Sequence, residues 1–271
     1  MKTLQIDLKK VIQQKSTLLA KMPFFVPWLK KLIHEDEINA FLDANKHLYG
    51  VEFVTAVLDF FQVQLETIVL YPQTIKPQGR YIFAANHPLG GLDGMAFIKA
   101  VNSMFTEIKF PVNDILLELE NVKSLFLPIE KHGKLQSREA VQKINEAYAS
   151  KDQQLLIFPA GLVSRKIQGE IVDLPWKDHF IRKAIESQRE IVPVYIEGRN
   201  SERFYRLANW RKNLNIPLNI EMLYLPDEMF RQHNKTIKII FGKPISYKTF
   251  TKKSAQSDAD YVKNKVYELK K

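Results

Sequence analysis

Tyr81-Ile82-Phe83-Ala84-Ala85-Asn86-His87-Pro88-Leu89-Gly90-Gly91-Leu92-Asp93 reads in two halves. The first half is a short unbroken apolar run, the texture of a strand buried on both faces. The second is a polar, turn-prone loop with a proline and two glycines. Asp93-Gly94 then leads into another apolar run, Met95-Ala96-Phe97-Ile98. A loop delivered by the end of a buried strand is where α/β folds place their chemistry.

Histidine can take a proton from an alcohol near neutral pH. A carboxylate beside it fixes the tautomer and stabilises the imidazolium that forms. Glycines let the backbone approach a ligand closely. The loop alone has a second reading: a turn in which His87 and Asp93 satisfy backbone groups.

Outward from this loop the chain repeats the same texture. Leu155-Leu156-Ile157-Phe158, Ile191-Val192-Pro193-Val194-Tyr195-Ile196 and Ile237-Lys238-Ile239-Ile240-Phe241 are three more candidate strands. Between them lie helical patterns: Ser137 capping a helix with Val141, Ile144 and Tyr148, and Asp178 capping one with Ile181, Ala184 and Ile185. Val262, Val266 and Leu269 mark a terminal helix. Alternating strands and helices predict an α/β fold, with a central, largely parallel or mixed sheet flanked by helices. Upstream, Val51, Val54, Leu58, Phe61, Leu65 and Ile68 recur at steps of three and four, which predicts one helix. Pro72, Pro77 and Gly79 break that pattern. The expected division is an N-terminal helical region, 1–75, with possible membrane-surface contact, and a catalytic domain, 76–271.

The whole chain sets outer bounds. It has 271 residues, of which 45% are hydrophobic and 26% charged, enough for a sizeable core. It contains no cysteine, which excludes a thiol nucleophile, disulfides and cysteine-based metal sites. Neither HExxH nor another close histidine pair occurs, so no metal is expected. The net charge of +10 has two readings: an anionic partner, or an ordinary solvated, lysine-rich surface. No nucleic-acid motif accompanies that charge, so nucleic acid is not the expected partner. Met1 to Lys10 lacks a signal-peptide core, and no apolar run is long enough to span a bilayer. Met22-Pro23-Phe24-Phe25-Val26-Pro27-Trp28-Leu29-Lys30-Lys31-Leu32-Ile33 has two readings: a helix lying in the headgroup region, or one packed on the main domain.

In order along the chain, several blocks together resemble the glycerolipid (lysophospholipid) acyltransferase family of the His-x4-Asp type. Asn86 through Asp93 resembles its catalytic block, and Leu127-Pro128-Ile129-Glu130-Lys131 stands where its second belongs. Phe158-Pro159-Ala160-Gly161-Leu162-Val163-Ser164-Arg165 resembles its Phe-Pro-Glu-Gly-Thr-Arg-Ser block. Ile191-Val192-Pro193-Val194 and Phe241-Gly242-Lys243-Pro244-Ile245 follow in turn. The resemblance implies His87 as general base and Asp93 as its partner. It places Asn86, Lys131, Gly161, Ser164 and Arg165 along the substrate site, with amides near Gly161 facing a developing oxyanion. Lys131, His132, Lys134 and Arg165 are candidate anion binders or ordinary surface charges. Three positions depart from the family: five residues, not four, separate His87 from Asp93; Ala160 replaces the usual Glu; and Val163 replaces the usual Arg.

The activity so implied is acyl transfer from acyl-CoA or acyl carrier protein, as co-substrate without a further cofactor, to the hydroxyl of a lipid acceptor. The acceptor is either lysophosphatidate-like or an N-acyl amino acid of the ornithine- or glycine-lipid type, which the glycine-rich loop resembles. The expected place is the cytoplasmic face of the membrane, held peripherally. The alternatives are a hydrolase using the same His and Asp, and an inactive relative that only binds lipid.

Overall fold

The apolar run at 81–85 is the central strand of a seven-stranded mixed sheet. The structure, a computed structural model, describes residues 24–113, 119–129, 137–217 and 219–270. The strands, in chain order, are β1 (Gln64–Val69), β2 (Tyr81–Ala85), β3 (Ile108–Asn113), β4 (Phe126–Ile129), β5 (Gln154–Ile157), a separate hairpin of β6 (Arg165–Ile167) and β7 (Glu170–Val172), then β8 (Glu190–Ile196) and β9 (Thr236–Phe241). The spatial order is β1-β9-β8-β2-β5-β3-β4. Only the β8–β9 pair is antiparallel within this sheet. The expected α/β architecture is therefore present, in its mixed form.

Alternation along β2 explains how one strand serves two cores. Tyr81, Phe83 and Ala85 face a layer that includes α3 (Gly50–Phe60) and α4 (Leu92–Asn102). Ile82 and Ala84 face the opposite layer, with α5 (Arg138–Ala149), α6 (His179–Ser187) and the terminal helix Ala255–Glu268. Every residue of β2 is buried. Arg189, fully buried, closes the C-terminal end of α5 by donating to the carbonyls of Ala147, Tyr148, Ser150 and Gln153. That satisfies helix-end carbonyls which would otherwise be orphaned.

Two local expectations are corrected. The periodic run from Val51 to Ile68 is not one helix. Gln62 adopts a left-handed φ of 50°, and α3 stops at Phe60. Leu65 and Ile68 lie on β1, opposite Ile237 and Ile240, and their side chains join opposite faces of the sheet. A three-four spacing is compatible with a helix, but across a turn it carries no helical meaning. The sheet's edge strand is thus supplied by residues upstream of Pro72. Second, Ser137 caps α5 through Ala140 N–H at 3.1 Å, as expected, whereas Asp178 makes no cap and pairs with Arg182 instead.

Upstream helices α1 (Phe25–Leu32) and α2 (Glu35–Ala44) precede α3, and α7 (Glu202–Asn213) follows β8. Val26, Leu29 and Leu32 of α1 are buried against Tyr224; Phe24 is 85% exposed, and Trp28, 46% exposed, meets the Tyr224 ring edge-on while lying open beside Lys31. The reading of a helix packed on the main domain is present on one face, and the other face is open. Met22 and Pro23 lie outside the described residues.

Candidate active site

The site sits at the C-terminal edge of three adjacent parallel strands, β8, β2 and β5. Each contributes a piece. Past β2, the Asn86 side chain acts as one more rung of the sheet: its Nδ2 donates to the Ile196 carbonyl at 2.9 Å and its Oδ1 accepts Ile196 N–H at 2.7 Å. Asn86, expected along the substrate site, is 3% exposed and ties the strand ends together. Its effect is to fix where His87 begins.

His87 is held at four points. Its N–H donates to Asp173 Oδ1 at 3.2 Å, and its carbonyl accepts Ser164 N–H at 2.7 Å. Its ring stacks on Phe158, the residue following β5, with centroids 4.0 Å apart. Its Nδ1 lies 2.9 Å from Asp93 Oδ2. Asp93 accepts backbone N–H groups on both of its oxygens, so it is the acceptor in this contact too and the ring nitrogen donates. Nε2 makes no hydrogen bond to the described residues, on a side chain 15% exposed. The ring is therefore oriented and its second nitrogen is available for a proton.

The longer spacing between His87 and Asp93 does not separate them. An extra residue within a regular helix would turn the carboxylate by about 100°. Residues 88–91 are not helical, and Gly90 has φ +99°, a conformation that side chains rarely adopt. Asp93 Oδ2 also accepts the N–H groups of Leu89 at 2.8 Å and Gly90 at 3.2 Å, and Oδ1 accepts Gly94 N–H at 2.9 Å. The carboxylate thus folds the loop and faces His87 with one oxygen. It sits in the first turn of α4, where the helix dipole favours negative charge. Both glycines lie under α8 (Leu225–Phe230): a Cβ on Gly90 would come 3.0 Å from the Leu225 side chain, and one on Gly91 would come 2.6 Å from Met229 Sδ.

The third block is apolar or internally paired. Ala160 and Val163 are buried, Val163 against Phe204 and Tyr205. Gly161 donates its N–H to the Phe158 carbonyl at 2.9 Å, closing a turn. The Ser164 hydroxyl donates to Asp173 Oδ1 at 2.5 Å. Arg165 is 6% exposed and is neither a free anion binder nor a surface charge. Its guanidinium donates to Glu221 at 2.8 Å and to the Val163 carbonyl at 2.5 Å, and burial holds its pKa below the usual range. Lys131, His132 and Lys134 lie outside the described residues. Among the described residues no cluster suited to a metal ion occurs. The block from Phe241 to Ile245 runs back along β8 away from His87: Phe241 lies opposite Val194, Gly242 N–H donates to the Pro193 carbonyl, and Ile245 pairs with Ile191. Phe158 and Asp173 are the members of this site whose contacts with His87 the sequence did not announce.

A profile of the acyltransferase family matches residues 10–271. The lyso-glycine lipid O-acyltransferase of Bacteroides thetaiotaomicron is 42% identical over 268 residues, covering 97% of both chains. The protein of the same name from Phocaeicola vulgatus is 41% identical over 268 residues, 97% of this chain and 95% of that one. The crystal structure of the 1-acyl-sn-glycerophosphate acyltransferase PlsC from Thermotoga maritima aligns over 97% of this chain and 98% of its own, with 16% identity and a TM-score of 0.49. A match over nearly the full length, with relatives this similar and a paired histidine and aspartate where the family's block falls, has one conclusion: the chain belongs to the acyltransferase family.

Proposed function

We propose that this protein moves a fatty acyl group from a thioester to the hydroxyl of a lyso-glycine lipid, an N-acylated amino acid, with His87 as general base. The observation that carries the reading is the contact between His87 Nδ1 and buried Asp93, which leaves Nε2 open. Nε2 takes the hydroxyl proton as the acceptor oxygen attacks the thioester carbonyl. The tetrahedral intermediate collapses with loss of the thiolate, which receives the proton from the imidazolium. Asp93 stabilises that imidazolium throughout. No acyl-enzyme is required: there is no cysteine, and the Ser164 hydroxyl is engaged by Asp173.

What surrounds the loop supports this acceptor. A phosphate-bearing acceptor needs the charges that Ala160 and Val163 replace, and Arg165 is buried and held by Glu221, a carboxylate it shares with Arg211. The two relatives named for lyso-glycine lipid acylation support the same acceptor. The His87–Asp93 contact favours an active enzyme over an inactive lipid binder. The test is acceptor-dependent thiol release by the purified chain, with acyl-CoA and acyl carrier protein as donors. Lyso-glycine lipid, an N-acyl ornithine and lysophosphatidate would be offered in parallel, with products weighed by mass spectrometry. Lyso-glycine lipid is expected to exceed lysophosphatidate by about tenfold or more in kcat/KM. Equal or better use of lysophosphatidate would overturn the acceptor assignment.

The lipid would be met at a membrane surface, from the cytoplasmic face and without spanning it. Among the described residues no helix is long and apolar enough to cross a membrane. Phe24 and Trp28 present an open apolar face next to Lys31, a composition suited to the headgroup region of an anionic bilayer. Replacing both aromatics with serine is expected to weaken flotation on vesicles containing phosphatidylglycerol. Turnover of a detergent-dispersed acceptor should stay unchanged. Flotation equal to wild type would remove this face from the account.

A further inference from the structure

We propose that Asp173 is a positioning residue for the reaction, holding the backbone of His87 through a closed ring of hydrogen bonds; this rests on the reading of His87 as the base. The ring has three sides. His87 N–H donates to Asp173 Oδ1, Ser164 N–H donates to the His87 carbonyl, and the Ser164 hydroxyl returns to Asp173 Oδ1. One carboxylate oxygen therefore governs both peptide groups that flank the His87 Cα. The other oxygen accepts Trp176 Nε1–H at 2.8 Å, which fixes the rotation of the carboxylate itself.

Asp173 is in turn buttressed from α9 (Ala255–Glu268). Its N–H donates to Tyr267 Oη at 2.7 Å, and its carbonyl accepts Lys263 Nζ at 2.8 Å. The lysine thus grips the backbone, and the carboxylate is met by neutral donors. Asp173 is 2% exposed. Burial raises its pKa, and the donors from Ser164, Trp176 and the His87 amide act against that rise. A buried carboxylate is an expensive way to fill space, since an apolar side chain packs as well without desolvation. What an apolar residue cannot do is accept three N–H and O–H bonds at once, one of them from His87.

The position of His87 is thereby set from two directions. Asp93 orients the ring, and Asp173 fixes the peptide from which the ring projects. Asparagine at 173 keeps the shape but has one acceptor oxygen. If that oxygen serves His87 and Ser164, the amide group meets Trp176 Nε1–H donor to donor. If it serves Trp176, His87 and Ser164 N–H and O–H groups lose their acceptor.

The experiment compares Asp173→Asn, Ser164→Ala, His87→Ala and Phe105→Ala in the full chain, with lyso-glycine lipid and acyl-CoA as substrates. Phe105 is buried beside Tyr81, at the opposite end of β2, and serves as the control for lost packing. A displacement of a catalytic group by about an ångström costs on the order of a hundredfold, so Asp173→Asn is expected to lower kcat about 30–100-fold with both KM values within about threefold. Ser164→Ala removes one donor and keeps the amide contact to His87, so it should lose about 5–10-fold in kcat with KM again unchanged. Phe105→Ala should lower the melting temperature and leave kcat near wild type. If His87→Ala is inactive while Asp173→Asn, or Ser164→Ala should the former not fold, turns over at the wild-type rate, the positioning role is overturned and the proposed base stands. If His87→Ala is active, the base assignment itself falls.

Discussion

His87→Ala is expected to lower the turnover for acyl transfer by about 10³–10⁴-fold, about 4–5 kcal/mol of transition-state stabilisation. The size follows from what the side chain does: a general base acts only as the acceptor proton leaves, so its loss falls on kcat, with substrate KM values nearly unchanged. The variant should fold. Asp93 loses one donor and keeps three, the N–H groups of Leu89, Gly90 and Gly94, so no unpaired carboxylate is left in the core. The imidazole leaves a ring-shaped gap against Phe158, and added imidazole is expected to restore part of the rate. Steady-state thiol release with lyso-glycine lipid as acceptor measures both. A turnover within tenfold of wild type, unaided by imidazole, would show that some other group takes the proton.

How the sequence and the fold correspond depends on the distance over which each signal acts. The run from Tyr81 to Asp93 was legible because its information is local: five apolar residues make a strand buried on both faces, and a proline and two glycines end it. The contact between His87 and Asp93 was not legible from spacing. It depends on Gly90 taking φ +99° beneath α8, a tertiary feature. The run from Val51 to Ile68 misled because its periodicity crosses a left-handed Gln62. The pairing of β1 with β9 then overrode it from more than 160 residues away. Arg165 looked like an anion binder because a sequence does not show that Glu221 lies beside it. Asp173 had no signal: it stands in the plain stretch Glu170-Ile171-Val172-Asp173-Leu174-Pro175-Trp176 and reaches His87 across 86 positions. Buried polar groups with distant partners are the part of a site that a single sequence hides most completely.

Asp93→Asn should be the second most damaging change, and the geometry says why an isostere fails. The native carboxylate accepts on both oxygens: Oδ2 from His87 Nδ1 and the amides of Leu89 and Gly90, Oδ1 from Gly94 N–H. Asparagine has one acceptor. Placing its oxygen at the Oδ2 position keeps three donors satisfied and sets its NH2 against Gly94 N–H. The opposite orientation sets the NH2 against three donors, so the first is adopted. In that orientation the His87 tautomer is kept and the ring stays near its place. What disappears is the negative charge that stabilises the imidazolium, in a buried setting where charge counts for more than in water. Activity is therefore expected to fall about 10²–10³-fold in kcat, less than for His87→Ala, because a correctly oriented but weaker base remains. The unpaired Gly94 amide should cost about 1–3 kcal/mol of folding stability, read as a lower urea midpoint with an unchanged slope. Asp93→Ala removes the acceptor for all four donors and should lose far more stability for a similar kcat. That contrast separates the two tasks of the residue. If Asp93→Asn keeps full turnover while losing stability, Asp93 folds the loop without assisting His87, and the base works alone.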